Sequence, residues 1–149
     1  MTKTTELWEL VKLVSERYGQ RLQAHRSAKG AGSELSALTV QQFQYLQAVG
    51  ALPGPTVGSL ASYFEVTSPT ATSIVNRLEG AGYVEKRPSG RDNRVRFVVL
   101  TARGRKVLRA QEDAFRALAE EIRGALTASE LAAYQELTAK VCAKLPQLE

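Results

Sequence analysis

The spacing of apolar residues along the chain predicts a mainly helical protein. Apolar side chains recur every three or four positions from Leu7 to Leu22, which predicts a long helix over about residues 5–27. Thr39 and Gln42 then form a capping-box pattern, in which each side chain satisfies a free backbone N–H group, and they predict the start of a second helix. Its expected apolar face consists of Val40, Phe43, Leu46 and Val49.

Two shorter helices are predicted in the middle of the chain, joined by a tight turn. The first begins at Thr56 and has an apolar face made of Val57, Leu60, Ala61 and Phe64. The second begins at Ser68 and Pro69, because serine caps a helix well and proline lacks only a hydrogen that is not needed there. Gly80 and Gly82 end it, and its inner face is expected to consist of Ala71, Ile74, Val75 and Leu78.

A β-hairpin and two further helices complete the predicted order. Residues 83–88 and 94–100 favour strands around a turn at Ser89-Gly90. Thr101 is expected to cap a long helix whose apolar residues Leu108, Phe115 and Ile122 stand seven apart, a spacing that suits a partner helix. A second capping box, at Thr127 and Glu130, predicts a last helix that reaches Pro146.

The composition is that of an ordinary globular chain, but its charge is unevenly placed. The 149 residues are 44% hydrophobic and 23% charged, with a net charge of +5. Residues 51–110 carry ten Lys or Arg and four acidic residues, whereas residues 111–149 carry four and seven. This excess of positive charge in the middle favours a polyanionic partner.

The residues needed for metal or redox chemistry are scarce. One cysteine and one histidine exclude an intramolecular disulfide and disfavour a zinc site, and no phosphate-binding glycine loop is present. We therefore expect no metal, no cofactor and no enzymatic activity. Cys142, beside Val141 on the last helix, is expected to be a buried structural cysteine. The absence of a signal peptide or an apolar membrane segment predicts a cytoplasmic protein.

The outer face of the helix at about 68–82 suits DNA. In a helix-turn-helix the second helix lies in the major groove, with small polar side chains and cations towards bases and phosphates. The alternative is that these hydroxyls only cap the helix and the arginine is only solvated. The residues left outside the predicted core are Ser68, Thr70, Thr72, Ser73, Asn76 and Arg77.

The hairpin adds a second basic element directly after that helix. Residues 86–109 contain nine Lys or Arg and one acid, Asp92. We expect Arg94 to enter a minor groove, where the potential is most negative when the groove is narrow, and Arg91 and Arg96 to contact phosphates. Asp92 is expected to hold a neighbouring guanidinium in a fixed orientation. The alternative is a salt bridge within the hairpin, worth at most about 1 kcal/mol.

Residues 56–108 contain a set of short motifs: T-V-G-S-L-A, R-L-E followed by G-Y-V, D-N-R in the hairpin, and L-T-A-R-G at the next helix. With these motifs the segment resembles the winged helix-turn-helix of the multiple-antibiotic-resistance regulator (MarR) family of bacterial and archaeal transcription factors. Each is weak alone, but together they are specific. The resemblance implies a mainly α fold with a small β-hairpin wing, flanked by N- and C-terminal dimerisation helices.

The resemblance also implies how the whole chain, residues 1–149, is used. It implies a DNA-binding core at about 39–100 and a homodimer whose helices at about 5–30 and 101–146 interlock. Each recognition helix would enter a major groove, and each wing a minor groove, of pseudo-palindromic double-stranded DNA. Most members repress transcription, and many are released by small aromatic or phenolic ligands or by cysteine oxidation. These triggers are not assigned to residues here.

Three wing positions carry over from the family pattern. Arg94 corresponds to the wing arginine and Asp92 to its acidic companion, whereas Asn93 replaces a more common arginine. The alternative function is a winged-helix module that binds an acidic protein. The small Ser, Thr and Asn residues of the outer face favour DNA, because protein interfaces use large apolar and aromatic anchors.

Overall fold

The computed structural model describes residues 6–28, 30, 32–92 and 94–145. Within them the chain forms seven helices and two strands, in the order α1 (Leu7–Ala28), α2 (Gly32–Ala37), α3 (Val40–Ala51), α4 (Val57–Tyr63), α5 (Ser68–Gly80), β1 (Val84–Pro88), β2 (Arg96–Leu100), α6 (Ala102–Ala125) and α7 (Ala128–Lys144). The predicted order is confirmed except for α2, which was missed because six residues are too few to show a helical period.

The chain divides into two compact units. Residues 23–114 form one unit, and residues up to 22 together with those from 115 onwards form the other. The boundaries fall inside α1 and α6, so both helices are shared between the units. The predicted division into a core at 39–100 and flanking dimerisation helices remains a prediction.

The unit of residues 23–114 holds a core built from α3, α4, α5, both strands and the start of α6. The predicted inner face of α5 is confirmed, since each of its four apolar side chains is at most 7% exposed. The expectation for Val40 is wrong: it is the first residue of α3 and is 78% exposed, ahead of the turn that reaches the core. Tyr45 is fully buried instead and stacks on Phe64, with ring centroids 4.2 Å apart.

Side-chain caps begin several helices. The capping boxes at Thr39 and Thr127 are confirmed. The cap of α5 is Thr67 rather than Ser68, because the Thr67 hydroxyl accepts a hydrogen bond from the Thr70 N–H at 3.4 Å. Pro69 still lies in the first turn, where no N–H is required, so the shift by one residue costs nothing.

The hairpin tip is longer than the predicted Ser-Gly turn. The strands are antiparallel, with Val84 opposite Leu100 and Pro88 opposite Arg96, so the loop comprises residues 89–95. It builds its own turns: the Ser89 N–H donates to the Val95 carbonyl at 2.8 Å, and the Val95 N–H donates to the Asp92 carbonyl at 3.1 Å. Because of these bonds the tip is a wide loop and not a two-residue turn.

The start of α6 is locked to the start of the hairpin. The Thr101 hydroxyl lies 2.6 Å from the Gly82 carbonyl oxygen and 3.1 Å from that of Tyr83, and it accepts a hydrogen bond from the Gly104 N–H at 3.1 Å. The predicted capping role of Thr101 is therefore confirmed. A β-carbon at position 104 would lie only 2.2 Å from the Tyr83 carbonyl oxygen, so this approach requires glycine.

We expect Gly104→Ala to destabilise the protein by about 1–3 kcal/mol or more, because the added methyl group must displace backbone. Gly124→Ala is the control on the same helix, since nothing lies within 4 Å of a β-carbon there. It should stabilise the chain by up to about 1 kcal/mol through helix propensity. Urea unfolding of both variants measures the two effects. An equal stability of the two variants would contradict the assigned contact.

The other unit contains the first part of α1, the second part of α6, and α7. The hydroxyl oxygens of Tyr18 and Tyr134 lie 2.9 Å apart, and Arg21 donates from Nε to Glu121 at 2.7 Å. A cavity of about 290 Å³ lies beside these pairs, lined by Tyr18, Leu118, Glu121, Ile122, Ala125, Leu126 and Tyr134.

The apolar stripes of this unit remain largely uncovered in the single chain. Cys142 is exposed, so the expectation of a buried cysteine is wrong for one chain. The physical reason is that no described residue of α7 is fully buried, although the helix has the predicted apolar period. The most exposed apolar side chains of the unit are Leu7, Trp8, Val11, Phe115, Leu137, Val141 and Leu145.

Burial and the hydrogen bond to Tyr134 raise the pKa of Tyr18 to about 12. A raised tyrosine pKa favours the neutral phenol in the folded state, so the contribution to stability is complete below the unfolded pKa near 10. It is lost as the pH rises from about 10 to about 12. We expect Tyr134→Phe to lower the pKa of Tyr18 but not to 10, because burial is the larger cause. A pH titration followed by ultraviolet absorbance checks this, with Tyr18→Phe as the reference that identifies the signal of Tyr18. An unchanged midpoint for Tyr18 in Tyr134→Phe would contradict the expectation.

Candidate nucleic-acid interface

The outer face of α5 presents small polar side chains to solvent. All six residues predicted to contact DNA on this helix are exposed. Five of them line an open depression of about 710 Å³ together with Pro69, and these five are Ser68, Thr72, Ser73, Asn76 and Arg77. Thr70 lies at the helix start instead, with its hydroxyl 2.8 Å from that of Thr67. The exposed face of α5 therefore has the shape and chemistry that a close approach to DNA requires.

The first turn of α5 limits what its hydroxyls can offer. The Thr72 hydroxyl donates to the Ser68 carbonyl at 2.7 Å, so its hydrogen is used within the helix and only its lone pairs remain for an acceptor role. The Thr70 hydroxyl forms a hydrogen bond with the hydroxyl of Thr67, the residue that caps the helix. Donor groups on the outer face are thus concentrated further along, at Ser73, Asn76 and Arg77.

A lysine of β1 joins the hairpin to the outer face of α5. Lys86 Nζ lies 2.5 Å from Asn76 Oδ1 and 3.0 Å from Glu79 Oε2. The Lys86 backbone N–H also donates to Glu79 Oε1 at 3.2 Å. Sequence reasoning counted Lys86 only as one charge of the basic hairpin and overlooked this contact. The sequence did contain a signal for this contact. Glu79 stands in the last turn of α5, and Lys86 follows it after the glycine turn.

The hairpin tip displays its arginines to solvent. Arg91, Arg94 and Arg96 are all exposed, as a role at a phosphate or a groove requires. Asp92 was expected to hold a guanidinium, but its partner is a backbone group. Its carboxylate accepts a hydrogen bond at 2.8 Å from the backbone N–H of Arg94. A short aspartate side chain reaches the N–H two residues on more easily than a side-chain terminus. Asn93 lies outside the described residues.

Two findings bear on other kinds of function. Within residues 6–28, 30, 32–92 and 94–145, no group of three His, Cys, Asp or Glu residues is arranged to hold a metal ion. In the same part of the chain, no helix combines the length and the apolar character that crossing a bilayer requires.

Comparisons with known proteins agree with this geometry. The MarR family model matches residues 38–94. The transcriptional regulator HosA of Escherichia coli is 33% identical over 108 residues, covering 72% of this chain and 80% of HosA. The transcriptional repressor Rv2887 of Mycobacterium tuberculosis is 29% identical over 104 residues, covering 70% of this chain and 75% of the repressor.

Solved structures show the same fold. MepR of Staphylococcus aureus bound to ethidium bromide is 19% identical, covers 95% of this chain and 98% of its own, and has a TM-score of 0.76. A point mutant of MepR bound to an oligodeoxyribonucleotide is also 19% identical, covers 95% and 99%, and has a TM-score of 0.67.

Helices α4 and α5 and the basic hairpin that follows them form a winged helix-turn-helix, and the comparisons show a DNA-binding regulator of transcription. The chain belongs to the MarR family. This decides between the two functions considered from sequence, in favour of DNA over an acidic protein partner.

Proposed function

We propose that this protein is a homodimeric repressor that covers a promoter by binding pseudo-palindromic double-stranded DNA, with α5 in the major groove and the hairpin in the minor groove. The observation that carries the proposal is the exposed polar face of α5 beside a hairpin with three exposed arginines in its tip and at the start of β2. The repressor of M. tuberculosis and the DNA-bound MepR structure support it. Because its target is DNA, we place the protein in the cytoplasm, acting on transcription rather than as an enzyme.

The major groove suits α5 because the outer side chains of this helix are mostly small and offer hydrogen-bond donors. The groove is about 12 Å wide, which admits a helix with small outer side chains. Ser73, Asn76 and Arg77 offer donors along the depression, and Ser68 lies in the first turn, where free backbone N–H groups favour phosphate. Thr70 and Thr72 keep hydroxyl oxygens as acceptors.

The minor groove suits the hairpin tip for an electrostatic reason. Narrow minor grooves concentrate negative potential, and an arginine can extend into a groove about 6 Å wide. The hydrogen bond from the Arg94 N–H to Asp92 holds the backbone of the tip, so less freedom is lost when the Arg94 side chain docks. Asp92 thus supports binding despite its negative charge. Arg91 and Arg96 flank it as phosphate contacts.

We expect Arg94→Ala to weaken binding to the selected operator by at least about fivefold. The slope of log affinity against log salt should also fall by about 1 for each wing, since each arginine releases counterions. Fluorescence anisotropy over a series of salt concentrations measures both quantities.

Arg123→Ala is the matched control for this variant. It removes the same charge from α6 in the unit outside residues 23–114, where Arg123 lies 3.4 Å from Glu120. It should leave operator affinity nearly unchanged. If Arg94→Ala behaves like this control, the hairpin does not enter the groove.

The homodimer is proposed from the uncovered apolar stripes of α1 and α7. Trp8 is 65% exposed, Leu137 60% and Val141 56%, and exposed apolar surface of this kind favours an association site. A two-fold dimer buries the same patch on both chains at once. The seven-residue spacing along α6 fits helix-to-helix packing in that dimer.

We expect the double variant Leu137→Asp/Val141→Asp to be monomeric, because burying two carboxylates in an apolar interface is costly. Val40→Asp is the control, since Val40 is equally apolar and 78% exposed but lies on α3. Sedimentation velocity distinguishes monomer from dimer. A dimer that survives the double change would place the interface elsewhere.

Release by a small aromatic effector is the remaining part of the proposal. The MepR structure bound to ethidium bromide supports it, because that relative in fold accepts an aromatic compound. No residue of this chain is assigned to an effector.

A further inference from the structure

The contact between Lys86 and Asn76 decides which atom of the Asn76 amide faces outward. A lysine ammonium group only donates hydrogen bonds, so the atom 2.5 Å from Lys86 Nζ must be the oxygen Oδ1. The Asn76 amide nitrogen then points away from the lysine. Among the described residues, no hydrogen bond engages this nitrogen.

Glu79 holds the lysine in this position. Its carboxylate contacts the Lys86 ammonium group at 3.0 Å through one oxygen and the Lys86 backbone N–H at 3.2 Å through the other. The Lys86 side chain is only 21% exposed, so solvent competes weakly for it. Three groups from α5 and β1 therefore form one connected network on the recognition face.

This arrangement restricts what Asn76 can read. An asparagine pairs with adenine in two places at once, accepting from N6 and donating to N7, and this needs both halves of the amide. Oδ1 keeps a second lone pair, but Lys86 engages this oxygen, and the two N–H donors are the unengaged part of the amide. Guanine offers two acceptors, O6 and N7, and thymine offers O4, whereas adenine has a single acceptor, N7, beside its N6 donor, and cytosine offers a donor.

We infer that Lys86 is a positioning residue that biases the Asn76 amide towards donating, so that α5 favours guanine or thymine over adenine at one base of each half-site. The inference rests on the proposed placement of α5 in the major groove. Lys86 acts through Asn76 and contacts no base itself. The wing strand thereby takes part in base selection through the recognition helix.

Selection from a random double-stranded DNA library tests the inference. The wild type and Asn76→Ala are selected in parallel, and the position that loses its preference in Asn76→Ala is the base that Asn76 reads. The wild type should enrich guanine or thymine there. Lys86→Met should lower the preference for that base over adenine by at least about fivefold.

Three further variants separate positioning from charge and folding. Lys86→Arg still donates to Oδ1 and should keep the wild-type base. Lys106→Met removes the same charge from an exposed site on α6 and should leave the preferred base unchanged. Glu79→Ala should shift the preference in the same direction as Lys86→Met. Circular dichroism and thermal unfolding confirm that each variant is folded.

The outcomes are distinct. A wild-type preference for adenine or cytosine, an unchanged preference in folded Lys86→Met and Glu79→Ala, or no effect of Asn76→Ala would each overturn the inference alone. Failure of the wild type to enrich any sequence would overturn both it and the proposed function.

Discussion

The close approach of helix α6 to the Tyr83 carbonyl is the constraint on which the unit of residues 23–114 depends. Gly104 has no side chain to obstruct this approach, and the Thr101 hydroxyl contacts the two carbonyl groups that begin the hairpin. Arg103 adds to it, with its guanidinium 4.6 Å from the centre of the Tyr83 ring and bonded to the Ala81 carbonyl at 2.6 Å. The end of α5, the start of the hairpin and the start of α6 are therefore held together by the Thr101 and Arg103 side chains, which contact backbone carbonyls.

This junction gives the hairpin a fixed base from which its charge can act. Lys86, near that base, is held against α5, while Arg91 and Arg94 lie at the exposed tip. The charged residues of this short hairpin thus form two groups. Near the base, Lys86 contacts Asn76 of α5, and at the tip the arginines are exposed to solvent. Asp92 belongs to the second group, because its carboxylate orders the tip through a backbone N–H.

The other unit differs because many of its apolar side chains are exposed to solvent. Its stripes on α1 and α7 satisfy the helical period but have no covering element in the single chain, so Cys142 and Val141 are exposed together. The Tyr18–Tyr134 hydrogen bond and the Arg21–Glu121 pair link helices distant in sequence within this unit. Polar pairs of this kind fix the register of packed helices. Apolar contacts alone would specify that register less strictly.

Six of the seven described helices, the hairpin, the inner face of α5 and the basic surface could be predicted from the sequence, because periodicity, capping and local charge are properties of neighbouring residues. Helix α2 and the wide hairpin tip were missed, since short segments carry little pattern. Val40 was wrongly placed in the core and Asp92 against a guanidinium. The contacts of Lys86 with Asn76 and of Gly104 with Tyr83 emerged only from the folded chain, because they depend on how separate elements meet in space.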